Sequence, residues 1–154
     1  MKTESERIAD LLKRAYYGEA WHGPSLKETL VGVTAKQALA RPIAGAHTIW
    51  ELVAHIAGWE GVIARRLGGE AVVEPDEGDF PAAPAEPSED AWAGLIARAY
   101  STHDALVAQI AGLSEADLDK RIGGKTHGAW VEAHGATAHA LYHVGQIALL
   151  KKAL

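Results

Sequence analysis

Apolar residues recur at helical spacing in four long stretches, and most of the stretches open on a recognisable cap. Thr3-Glu4-Ser5-Glu6 is a capping box ahead of Ile8, Leu11, Leu12, Ala15 and Tyr16, which predicts a first helix ended by Gly18. Ser25-Leu26-Lys27-Glu28 and Thr34-Ala35-Lys36-Gln37 predict short helical pieces in the connection that follows, interrupted by Pro42 and Gly45. Thr48-Ile49-Trp50-Glu51 opens a second long helix with Leu52, His55, Ile56, Trp59, Val62, Ile63 and Arg66 on one stripe, stopping at Gly68-Gly69. Ser88 caps a third, with Glu89 and Asp90 placed favourably against the helix dipole. Its stripe is Trp92, Leu95, Ile96, Ala99, His103, Leu106, Val107 and Ile110. Ser114-Glu115-Ala116-Asp117 begins a short piece, Gly123-Gly124 breaks it, and a final helix is predicted from about Val131 to Lys152.

Glu70 to Pro87 breaks the pattern. Pro75, Pro81, Pro84 and Pro87, several acids and almost no periodicity predict an ordered or semi-ordered loop rather than a linker between domains. Val72-Val73 and the span Ile122 to Thr126 are the only places for a strand, and neither is convincing. The expected fold is therefore all-α: an antiparallel-type four-helix bundle with short helical pieces in its connections and a long Pro-rich loop between helices two and three. Residues 1–154 are expected to form one domain, long enough to bury a sizeable core.

Composition narrows the chemistry. The net charge of −5 lacks the basic stripe of a nucleic-acid surface. With no cysteine there are no disulfides, no thiolate ligands and no cysteine nucleophile, so any metal must use imidazole, carboxylate or water. No run of about 18 uncharged apolar residues offers a membrane span. The N-terminal residues lack the apolar core of a signal peptide, and a cytoplasmic location is the default expectation.

The candidate chemistry lies in the histidines. His139 and His143, four residues apart, share one helical face about one turn apart, on the stripe Ala136, His139, His143, Gln146, Ile147 and Leu150. His55 sits between Leu52 and Trp59 on the inner stripe of the second long helix. Burying an imidazole with an unsatisfied nitrogen costs on the order of 1–3 kcal/mol, and a shared cation would satisfy all three at once. Separate side-chain or water partners are the alternative. Three imidazoles with an open position suit zinc, nickel, copper or ferrous iron and disfavour magnesium or calcium.

Gln146, one turn beyond His143, could bond a ligand imidazole or a bound water, or be a buried amide satisfying a helix contact. His103 could line the cavity, although a satisfied core histidine is the preferred reading. Trp50, Trp59, Trp92 and Trp130 are expected as core and cavity walls. His134 is rotated off the line of the pair. His47 precedes the Thr48 cap, His22 and His127 lie in glycine-flanked loops, and Glu51 is the capping-box glutamate. No Gly-rich phosphate loop or Gly-x-Ser-x-Gly elbow competes.

The segments Thr48-Ile49-Trp50-Glu51-Leu52-Val53-Ala54-His55-Ile56-Ala57-Gly58-Trp59-Glu60 and His139-Ala140-Leu141-Tyr142-His143-Val144-Gly145-Gln146-Ile147 together resemble the DinB-like family. The likeness extends to helix order, to Ser25-Leu26-Lys27-Glu28 with its follow-on helix, and to the long loop, covering nearly the whole chain. It implies a four-helix bundle in which His55, His139 and His143 bind a divalent metal, zinc or nickel, with positions open to water or substrate. It also implies, from several relatives, group transfer or isomerisation with a low-molecular-weight thiol such as bacillithiol, mycothiol or glutathione. Relatives often carry a histidine one turn before the pair. Here His134 is five residues back, which removes the basis for a family role there.

The functional expectation is a metal-dependent thiol S-transferase acting on a small-molecule substrate, forming a homodimer and engaging neither nucleic acid nor membrane. A non-catalytic, stress-related protein that binds a metal or small ligand is the alternative. A third possibility is a purely structural or interaction protein with ordinary core histidines.

Overall fold

The computed structural model describes residues 1–154, and its elements are helical, with no strand. The four long helices are α1 (Glu4–Tyr17), α4 (Ile49–Leu67), α5 (Glu89–Ala111) and α7 (Ala129–Lys152), and the short ones are α2 (Leu26–Leu30), α3 (Ala35–Leu39) and α6 (Glu115–Leu118). Reciprocal capping boxes form at Thr3, Ser25, Thr34, Thr48 and Ser114, and Ser88 accepts from the Ala91 amide at the start of α5. α7 starts slightly earlier than its periodicity suggests. Gly128 stands at its N-cap without a side-chain bond, and a lone antiparallel bridge joins Arg121 to Gly128 just before it. That bridge is the whole of the extended structure in the span around Ile122 to Thr126.

α1 packs on α5 and α7, and α4 packs on the same two, so α1 lies diagonal to α4. Contacts along the helices fix their directions. Trp50 meets Trp92, Glu60 meets His103 and Ala64 meets Gln109, so α4 and α5 run parallel. His55 meets His139 while Arg66 meets Glu132, so α4 and α7 are antiparallel. Glu4 meets Trp130 at the start of both helices, while Thr29 of α2, the helix that follows α1 and packs on it, meets Lys151 at the end of α7, so α1 and α7 are parallel. The bundle is therefore up-down-down-up rather than antiparallel throughout. Two adjacent parallel helices require a connection that returns the length of the first. For the 19 residues of α4 that is about 28 Å, and this is the physical reason for the long segment after Gly68.

The core forms two apolar clusters. The larger joins α2, α3, Ile49, Leu52 and Ile56 to Trp92, Val144 and Ile147; the smaller joins Ile8, Leu12, Ile63, Leu106, Ile110 and Leu118. Along α4 and α5, the polar pair Glu60 and His103 falls between them. Trp50 and Trp92 are buried as expected, and the Trp92 indole donates to the Val33 carbonyl at 2.9 Å. Trp130 is not a core wall. It is 48% exposed and lies over His134 at the surface, because its position on the first turn of α7 faces outward beside α1. No helix is long and apolar enough to cross a membrane.

Candidate metal centre

α4 and α7 cross with His55 and the His139/His143 pair facing one another. His55 Nε2 lies 2.9 Å from His139 Nε2, which in turn lies 3.1 Å from His143 Nε2. His55 and His143 are buried, and His139 is partly exposed. The three form a group able to hold a metal ion. The four-residue spacing sets the two α7 rings edge to face, with centroids 4.6 Å apart, and the antiparallel crossing brings the α4 ring to within 4.9 Å of one and 4.5 Å of the other.

The outer nitrogens decide what the inner ones can do. His55 Nδ1 sits 2.6 Å from the main-chain carbonyl of Asp79, an acceptor only, so Nδ1 carries a proton and donates it. His143 Nδ1 sits 2.7 Å from the Gln146 side-chain oxygen and likewise donates. In the neutral rings Nε2 of both is then a lone pair. At most one proton, on His139 Nε2, is left to serve three converging nitrogens. A divalent cation accepts all three lone pairs, so the donor set fits one. Tetrahedral zinc holds its nitrogens about 3.3 Å apart, a few tenths of an ångström wider than the spacing here. The shorter distances are those of imidazoles sharing a proton.

The electrostatics agree. Burial pushes the pKa of all three histidines down. For His139 it falls to about 4, with the cationic forms of His143 and His55 opposing protonation as well. No carboxylate joins the three nitrogens on the inner side. Neutral imidazole is the form that binds a metal.

The surrounding residues were only partly foreseeable. Gln146 lies on the ligand face and bonds His143. Trp59 is half-buried, and its indole donates to the Asp79 carboxylate at 2.8 Å. Phe80 lies flat between two imidazoles, with centroids 4.1 Å from His55 and 3.6 Å from His47. Asp79, Phe80 and the role of His47 as a wall escaped the sequence reading. No periodicity marks loop residues, and the contacts bridge distant parts of the chain.

His103 does not join the centre. It is fully buried between α5, α4 and α1, with Nδ1 3.2 Å from both Glu60 oxygens and its ring stacked 3.5 Å from Tyr16. On α5 its stripe faces α1 and α4, whereas the metal-type group lies on the α4/α7 seam, so it is a core histidine and not a pocket residue. His134 stands apart near Glu4, His127 pairs with Glu132, and Glu51 is held by the Thr48 amide, Arg41 and His47. A groove of about 230 Å³ runs between α4 and α5, lined by residues that include Gly58, Gly61, Arg65, Arg98 and Thr102. None of the three histidines lines it.

Comparison with known proteins places the chain in a family. Neither the curated proteins nor the solved structures gave a match. The family model of the DinB superfamily matches residues 21–147, from before α2 to the last ligand turn of α7, and the chain belongs to that superfamily.

Proposed function

We propose that the chain is a metalloenzyme in which His55, His139 and His143 hold zinc or nickel, and that its reaction is group transfer dependent on a low-molecular-weight thiol. The observation that carries the metal is the convergence of three Nε2 atoms, two of them fixed as lone pairs from behind. A divalent cation there supplies Lewis acidity and favours the deprotonated form of a water or thiol near neutral pH. Asp79 and Gln146 orient the imidazoles, while Trp59 and Phe80 wall the site with aromatic surface. With no cysteine in the chain, the thiol has to come from a small molecule.

The test is direct. Metal-loaded protein is incubated with a panel of thiols and electrophiles, and turnover is compared with that of a His139→Ala, His143→Ala variant. Turnover confined to the wild type supports the transferase. A second reading, a non-catalytic protein that binds a metal or small ligand, is favoured by the groove that none of the histidines lines, and metal binding without turnover on any thiol would select it.

A homodimer is part of the same proposal. α7 carries no charged residue between Glu132 and Lys151 yet exposes Val131, Tyr142 and Leu149. Large apolar side chains exposed on an uncharged helix face mark a surface that a partner covers. Sedimentation at micromolar concentration is expected to show a dimer, and a Tyr142→Lys, Leu149→Lys variant a monomer.

A further inference from the structure

The parallel arrangement of α4 and α5 forces residues 68–88 to travel back along α4, and the contacts trace that path. Near the C-terminal end of α4, the buried Arg66 guanidinium donates to the Val72 and Val73 carbonyls, both at 2.7 Å. The same group donates to Glu132 of α7 at 3.1 Å and lies over the Trp59 ring at 5.6 Å. Further back, buried Pro75 packs on Gly58, where a Cβ would come within 3.2 Å of its ring. Next the Trp59 indole holds the Asp79 carboxylate at 2.8 Å, the Asp79 carbonyl takes His55 Nδ1–H at 2.6 Å, and Phe80 covers the His55 ring. Extended chain of this length could span about two and a half times the required 28 Å, so the return path has slack. Its close course along α4 is set by these anchors and by the prolines.

The geometry points to Asp79 as a positioning residue of the metal centre, with Trp59 and the 68–88 segment as the device that holds it. The inference rests on the metal reading of the three histidines and adds to it a cause for the state of His55. The rigid part is the main-chain carbonyl of Asp79, which accepts from Nδ1 and leaves Nε2 as the inward lone pair. Its position depends on the side chain, because the carboxylate is tethered to the indole one helical turn beyond His55 on the same face. Arg66 secures the upstream end of the segment to both α4 and α7. Gln146 does the equivalent work for His143 from within α7, one turn away. One imidazole is therefore oriented locally and the other by a segment returning from the far end of the bundle.

The test uses Trp59→Phe, Asp79→Ala and Asp79→Asn in the full chain, read in two ways. Nitrogen-15 NMR of the metal-free protein reports the His55 tautomer. The wild type is expected to show Nδ1–H, the Trp59→Phe and Asp79→Ala variants a mixture, and Asp79→Asn, which keeps an acceptor for the indole, the wild-type signal. Zinc titration is expected to show affinity about tenfold weaker in the first two variants and restored in Asp79→Asn, in the range of partners that orient ligands. His139→Ala separates the two levels of the account. If it binds zinc like the wild type, the metal reading falls. If it loses zinc while Trp59→Phe and Asp79→Ala keep both the His55 tautomer and the wild-type affinity, the positioning role of Asp79 is overturned.

Discussion

Two buried histidine clusters share α4, and they differ in what faces the imidazole. His55 and Glu60 are five residues apart, about 140° around the helix, so one looks at α7 and the other at α5 and α1. On the α7 side three imidazoles point nitrogens at one another, with acceptors only on their outer edges. On the α5 side a single imidazole meets a carboxylate and a stacked phenol, all fully buried. Burial alone therefore does not mark a metal site. What marks it is a set of lone pairs fixed inward with too few protons to share. The His103 imidazole already has a carboxyl partner in Glu60, and the pair divides the two apolar clusters of the core. The far nitrogen of that imidazole, His103 Nε2, is buried without a hydrogen-bond partner.

If the two clusters do different work, substitutions should separate stability from binding. The largest effect is expected at the core pair. His103→Leu leaves Glu60 buried without its partner and should cost about 3–5 kcal/mol in denaturant unfolding, while zinc binding per folded molecule is unchanged. A loss of zinc binding with stability intact would merge the clusters into one site. The next effect belongs to the histidine triad. Zinc at a hundred times its dissociation constant should stabilise the wild type by about 2.7 kcal/mol, and His143→Ala should abolish that gain in a thermal melt with and without metal. Smaller again is Gln146→Leu, which frees the outer nitrogen of His143 and should weaken zinc binding about tenfold by competition with a chromogenic chelator. An unchanged affinity would show that Gln146 is a helix contact only.

Acid and alkali should pull the two regions in opposite directions. The site histidines have folded pKa values below their ordinary 6.5, so the unfolded chain takes up protons first as the pH falls. The metal-free protein should lose stability from about pH 6.5 toward 4, where His139 protonates. Bound zinc should be retained at pH 6 and released near pH 4. Burial holds the Glu60 carboxyl above its ordinary 4.5, so its contribution is lost as the pH rises through that raised value. Unfolding of metal-free protein across pH 4–8 should therefore show the acid loss in the wild type and in Glu60→Gln, and the alkaline decline in the wild type alone. An alkaline decline that survives Glu60→Gln would assign it to another group.

What could be read from the sequence was local. Capping boxes act over three residues, and each one marked at Thr3, Ser25, Thr34, Thr48 and Ser114 forms a cap. The His139/His143 spacing and the stripe position of His55 are also local, and they were enough to bring the three together on paper. What escaped depends on topology. A parallel α4/α5 pair leaves no periodic trace, so the reason for the long loop, and the delivery of Asp79 and Phe80 to His55, could not be read. Glu60 escaped because an acid beside Trp59 on an amphipathic helix ordinarily faces water, and only the packing of α1 and α5 shows that it is sealed. Trp130 differs for the opposite reason: its size and apolar surface point to the interior, whereas the first turn of α7 presents it outward.

The central claim is that His55, His139 and His143 form a metal site rather than a set of core histidines. Elemental analysis of untagged protein, beside a His139→Ala, His143→Ala variant prepared identically, tests it most directly. The account predicts close to one zinc or nickel per wild-type chain and none in the folded variant. Equal metal content in the two proteins would contradict it.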